Sequence, residues 1–108
     1  MANNYKFKGV ALATSAETAL LTAASDETII IRSIRVTNNT SNTPTISLDL
    51  SDSSASAEYT ILKTQTLAAN TAVEIIKVSL VLESSDVLKA TISSSDSIHF
   101  GISYLVIT

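Results

Sequence analysis

The sequence predicts an all-β fold, an eight-stranded antiparallel β-sandwich of jelly-roll type, and three observations predict it. Apolar residues recur with a period of two rather than 3.6 wherever a pattern is readable, as in Ile98-His99-Phe100-Gly101-Ile102-Ser103-Tyr104-Leu105-Val106-Ile107. β-branched residues dominate those runs, which suits a pleated, half-buried surface. Clusters of Ser, Asn, Asp and Pro recur about every 8 to 14 residues from position 25 onward, the spacing of turns in a sandwich or barrel.

Taken in order, the strands fall at 5–13, 18–23, 28–38, 45–51, 58–64, 71–78, 86–93 and 98–107. The second has a competitor, since Ser15-Ala16-Glu17-Thr18-Ala19-Leu20-Leu21 could form a helical turn capped by Ser15. The break at Ser25-Asp26 favours the strand. In the third, Ile30, Ile34 and Val36 share a face with Arg32, while Ser33, Arg35 and Thr37 point the other way. Asn38 to Pro44 is a loop by composition, and Pro44 holds Thr43 extended. Ser51 to Ser56, Ala68-Ala69-Asn70, Glu83 to Asp86 and Ser93 to Ser97 supply the other turns. Alternation places Ile46, Leu48, Ile92, Phe100 and Ile102 in the core. The five aromatics Tyr5, Phe7, Tyr59, Phe100 and Tyr104 fall mostly within the same alternation, which argues against exposed aromatic platforms.

One domain, residues 1–108, accommodates all of this. With 45% apolar residues, a chain of this length buries roughly two-thirds of its unfolded surface and holds one core. The lack of cysteine excludes a disulfide scaffold, a zinc ribbon and a thiol nucleophile. A net charge of −3 with seven Lys and Arg excludes nucleic-acid binding through a basic face. No apolar run approaches the ~20 residues of a spanning helix, and Met1 to Lys8 is followed by no signal-type apolar segment, so neither membrane nor secretion is expected.

Catalytic chemistry finds little material. His99 is the single histidine, and a hydrolytic reading would pair it with Asp86 or Asp96 and a serine. No serine stands in a G-x-S-x-G elbow, so His99 reads as a surface or interface residue. Gly9 and Gly101 lack the glycine neighbours of a phosphate loop. Asp49/Asp52 and Glu83/Asp86 flank two loops and could offer oxygen ligands, but no D-x-D-x-D-G series closes a calcium site. Asn38-Asn39-Thr40 and Asn39-Thr40-Ser41 match the glycosylation pattern in a chain with 17 Ser and 14 Thr, where composition alone produces such matches. No catalytic, cofactor-binding or metal-binding residue is assigned, no cofactor is expected, and the chain reads as not an enzyme.

Assembly is better supported. Charged residues make up 16%, below the ~25% of ordinary soluble domains. The last strand is apolar on both sides at Leu105-Val106-Ile107, as is Ile75-Ile76-Lys77-Val78-Ser79-Leu80-Val81-Leu82. A half-exposed sheet has no use for a second apolar face unless something covers it. A homo-oligomer is expected, a trimer in preference, with Val81 and Ile107 at the interface.

The ordered segments also resemble a family of small virion proteins of tailed phages, common in marine and cyanobacterial phages. The likeness runs through Met1-Ala2-Asn3-Asn4-Tyr5-Lys6, Leu12-Ala13-Thr14-Ser15, Asp26-Glu27-Thr28-Ile29-Ile30 and Ile34-Arg35-Val36-Thr37-Asn38. It continues in Leu50-Ser51-Asp52-Ser53-Ser54, Leu67-Ala68-Ala69-Asn70-Thr71-Ala72 and the more specific Leu80-Val81-Leu82-Glu83-Ser84-Ser85-Asp86-Val87-Leu88. Two departures are Ser25-Asp26, where a Pro-Ala-Gly turn often stands, and Ser85, where glycine commonly precedes the aspartate. The resemblance implies a structural protein of the virion, assembled in the host cytoplasm. A capsid decoration (cement) protein bound to the major capsid protein or other virion subunits is preferred. A neck, tail or baseplate component is the alternative, and a carbohydrate-binding or host-adhesion module a more distant one.

Overall fold

In the computed structural model, which describes residues 3–76 and 79–108, every regular element is a strand. They are β1 (Asn3–Leu12), β2 (Thr18–Thr22), β3 (Thr28–Asn38), β4 (Thr45–Asp52), β5 (Ala57–Thr66), β6 (Ala72–Ile76), β7 (Leu80–Leu82), β8 (Val87–Ile92) and β9 (Ile98–Ile107). Residues 18–22, at which a helical turn competed, are strand. One sheet runs β1-β9-β3-β6, with β7 also on β3; the other runs β2-β8-β4-β5, and all pairs are antiparallel. Chain order alternates between the sheets except that β4 and β5 are neighbours in the second sheet and β6 and β7 both lie in the first, the connectivity of a jelly roll.

Among the described residues there are nine strands where eight were expected, because β6 and β7 both pair with β3, at Ile34–Thr37 and at Ile29–Ile31. They run in the same direction and together occupy one edge. Of the strand expected at 71–78, Lys77 and Val78 lie outside the described residues, as do Met1 and Ala2 of the expected start.

The core forms where inward rows of the two sheets meet. Ile46, Leu48, Ile92, Phe100 and Ile102 are all at most 1% exposed, as alternation predicts. Leu20, Leu88, Ile98 and Leu82 join them. In β3 the expected face is only half right. Ile34 and Val36 point inward, but so do Ile29 and Ile31, while Ile30 faces out. The cause is a bulge: Ile31 opposes Tyr104 and Ser33 opposes Ser103, leaving Arg32 without a partner on β9. One extra residue reverses the parity of everything before it.

Asn38 and Asp86 are the buried polar residues among those described, and each ties down one end of the sandwich. The Asn38 Nδ2 donates to the carbonyls of Asn42 at 2.8 Å and Ala68 at 3.2 Å, and its Oδ1 accepts from the Thr40 amide at 3.0 Å. At the other end the Asp86 carboxylate accepts from the amides of Ser53 and Glu83, both at 2.9 Å. Ser85, two residues into the Glu83–Asp86 turn, has φ 68°, which explains why glycine suits this place.

Candidate functional site

Strand register converts the outward residues of the first sheet into rows. Near the start of β1, Tyr5 opposes Leu105, Leu105 opposes Ile30, and Ile30 opposes Val81. Four apolar side chains therefore cross four strands on the solvent side. Tyr5 and Val81 are 75% and 47% exposed, and Leu105 and Ile30 are half-buried. The double-sided apolar character seen in the sequence at Leu105 and Val81 is this row. Ile107 lies one row further, opposite Asn3 and Thr28.

Two rows in the other direction the chemistry changes. Gly9 opposes Gly101, Gly101 opposes Arg35, and Arg35 opposes Glu74. Arg35 Nε stands 3.5 Å from Glu74 Oε1, a largely exposed pair worth at most ~1 kcal/mol. The Phe7 ring lies over the glycines. A Cβ on Gly101 would meet ring carbons Cε1 and Cζ at 3.2 and 3.3 Å, and one on Gly9 would meet Cε2 at 3.6 Å. Neither glycine has positive φ, so close approach of the ring, rather than backbone freedom, is what favours them. A groove of about 590 Å³ opens here, walled by Phe7, Ser33, Arg35, Thr37, Glu74 and His99.

Phe7 and Tyr5 overturn the expectation that the aromatics are taken up by the core. Phe7 is 70% exposed and Tyr59 also sits largely in solvent, whereas Phe100 is buried and Tyr104 half-buried. β1 is paired along its whole length with β9, yet its odd-numbered residues face outward and the sandwich covers little of its first half.

The residues singled out for chemistry are dispersed. His99 lies in the outer row with Ala11 and Thr37. Among the described residues no hydrogen bond joins it to Asp86 or Asp96. Asp86 is occupied by two backbone amides, and Asp96 accepts from Asn42 Nδ2 at 2.9 Å and from the Ser94 hydroxyl. Those two bonds, Ser94's first, hold the Asp96 carboxyl below its usual value.

The carboxylates regroup. Asp49 gathers with Glu17 and Glu58 on the outer face of the second sheet, and Asp52 with Glu83 and Asp86 at one end. The first group surrounds Lys89, whose Nζ is 3.9 Å from Glu17 and 3.8 Å from Glu58. Partial loss of hydration and then the Glu58 charge raise the Glu17 pKa, against the pull of Lys89. An ammonium already fills the place a cation would take. In the second group Asp86 serves as a loop tie. Asn38, fully buried, is closed to glycosylation.

No family model matches the chain, and no curated protein matches it. Solved structures do, and they share its fold. The Drosophila NLP-core, whose structure bears on pentamer formation and histone binding, aligns over 94% of this chain and 98% of its own, at 16% identity and a TM-score of 0.55. A protein of the T13 IBDV viral particle aligns over 96% of this chain but 30% of its own length, at 10% identity and a TM-score of 0.56. The N-terminal CBM22-1–GH10 part of Clostridium thermocellum xylanase 10B, complexed with xylohexaose, aligns over 90% of this chain and 20% of its own, at 18% identity and a TM-score of 0.50. At such identities the likeness establishes the β-sandwich and nothing further.

Reasoning from sequence did not assign Phe7, Gly9, Arg35, Glu74 or Gly101 to a site. One signal was present: the chain's two glycines both sit mid-strand, where glycine weakens a sheet, and Phe7 is two residues from one of them.

Proposed function

We propose that this protein is a non-enzymatic structural subunit of a phage virion that works as a homo-oligomer, a capsid decoration protein in preference. The outward row Tyr5–Leu105–Ile30–Val81 carries this reading. A monomer leaves that row in water; a second copy packed against the first sheet removes it. The NLP-core, described for pentamer formation, and the IBDV particle protein support the reading by fold, since both put this kind of sandwich to use in assemblies. The preferred ring is a trimer, because a threefold ring matches the sites between capsid hexamers. Three modest contacts with the shell would then act together, and affinity would fall steeply once the ring is broken.

Cryo-electron microscopy of the intact particle tests the reading. The expected result is density for this sandwich on threefold sites of the head shell. Density in a sixfold ring at the neck or tail would transfer the protein to that structure, and its absence from purified particles would end the virion reading altogether.

A further inference from the structure

We propose that the groove over Gly9 and Gly101 is a binding site for a neutral saccharide, with one sugar ring stacked on Phe7. Four features of the groove select this class of ligand. The Phe7 ring places Cε1, Cζ and Cε2 over the glycine floor and the residue is 70% exposed, so a flat apolar partner has access to the ring. The negative ring face attracts weakly positive C–H groups such as those lining one face of a pyranose. Beside the ring, Arg35 and Glu74 stand 3.5 Å apart and set donors and acceptors side by side, the pairing that neighbouring hydroxyls need. Ser33 and His99 extend this polar wall, and the volume of about 590 Å³ is of small-ligand size.

Other ligand classes fit less well. An anion would meet an Arg35 already paired with Glu74 on a chain of net charge −3. A wholly apolar ligand would strip water from Arg35, Glu74 and the hydroxyls without replacing their hydrogen bonds. A polyhydroxylated molecule with one apolar face avoids both costs. The glycine pair belongs to the same device: a side chain on Gly101 would lift the ring from its seat.

The site stands apart from the virion assignment. Gly9, Gly101, Arg35 and Glu74 lie two rows from the apolar row on the same face, and Phe7 and Ser33 lie in the row between, so the groove adjoins the seam and a saccharide needs the part of the face that a partner copy leaves open.

The test is a titration of the isotope-labelled protein with cellohexaose, mannohexaose and chitohexaose, each to about 10 mM, followed through the Gly9 and Gly101 amides and the Phe7 ring. At least one neutral hexasaccharide should give saturable shifts confined to the groove. Phe7→Ala should weaken that binding at least tenfold, and so should Gly101→Val, while Tyr59→Ala leaves it within twofold. Phe7 is exposed, so Phe7→Ala keeps the fold, which the dispersion of the remaining amides verifies. Absence of saturable shifts with all three sugars overturns the proposal. So do groove shifts that follow protein concentration alone, which would mark the groove as a contact between copies.

Discussion

Across the first sheet an outward row reads Tyr5, Leu105, Ile30, Val81; across the second, an outward row reads Ala19, Lys89, Asp49, Thr60. Both are built on strands of ordinary β composition, and both back onto the same core. The second row carries its own compensation, a lysine between Glu17 and Glu58, and is at home in water. Apart from the Tyr5 hydroxyl the first has no group that water satisfies, and Tyr5 and Val81 stay 75% and 47% exposed. Inward packing explains neither difference. The contrast therefore points outward, to what each face meets.

The largest effect breaks both faces at once. Phe100→Ala empties a site that is 1% exposed in the shared core and should cost ~3–5 kcal/mol by denaturant titration. A loss under about 1 kcal/mol would mean that β9 is out of register, and the rows with it.

The next prediction separates the faces. Leu105→Asp should abolish self-association with the protomer still folded, because a charge in a covered row is left without water or partner. Thr91→Asp, on the second sheet's outer face, should leave association unchanged by sedimentation. Equal effects from the two would erase the distinction between the faces.

A smaller effect tests the turn behind the second sheet. Ser85→Gly relieves a left-handed residue at φ 68° and should stabilise by about 0.5–1 kcal/mol in thermal unfolding, the gain being reduced by glycine's looser unfolded chain. Any destabilisation would contradict the left-handed conformation of Ser85 in this turn.

Acid titration gives the smallest effects, of opposite sign. Asp96, held below its usual value, favours folding above its unfolded pKa of 3.8, and that contribution is lost as pH falls through the folded value. Glu17, raised above 4.5, binds its proton more tightly when folded, so its contribution declines as pH rises through that window. Asp96→Asn should remove the first dependence and Glu17→Gln the second, read from carboxyl resonances and stability between about pH 3 and 6. A Glu17 that titrates at the ordinary value would dissolve the acidic cluster around Lys89.

Much of the fold was legible because alternation and turn composition are local. β3 and β9 occupy the spans expected, Thr28–Asn38 and Ile98–Ile107, and Ile46, Leu48 and Ile92 lie where their parity puts them. Arg32 was not legible as a bulge. It carries no glycine or other local marker, and only pairing with β9 reveals the extra residue. The same limit hid the site. Tyr5, Ile30, Val81 and Leu105 are spread over a hundred residues of chain, and Gly9 meets Gly101 through a register that no short-range pattern encodes. The seat of the Phe7 ring on Gly9 and Gly101 is again a cross-strand fact.

The central claim is that the apolar row of the first sheet is closed by further copies of this chain. Mass photometry or sedimentation equilibrium of the wild-type protein beside Val81→Asp tests it most directly. The wild type should be a discrete closed oligomer, a trimer in preference, and Val81→Asp a folded monomer with an unchanged circular dichroism spectrum. A wild-type protein that remains a stable, soluble monomer and still binds its particle in full would contradict the account.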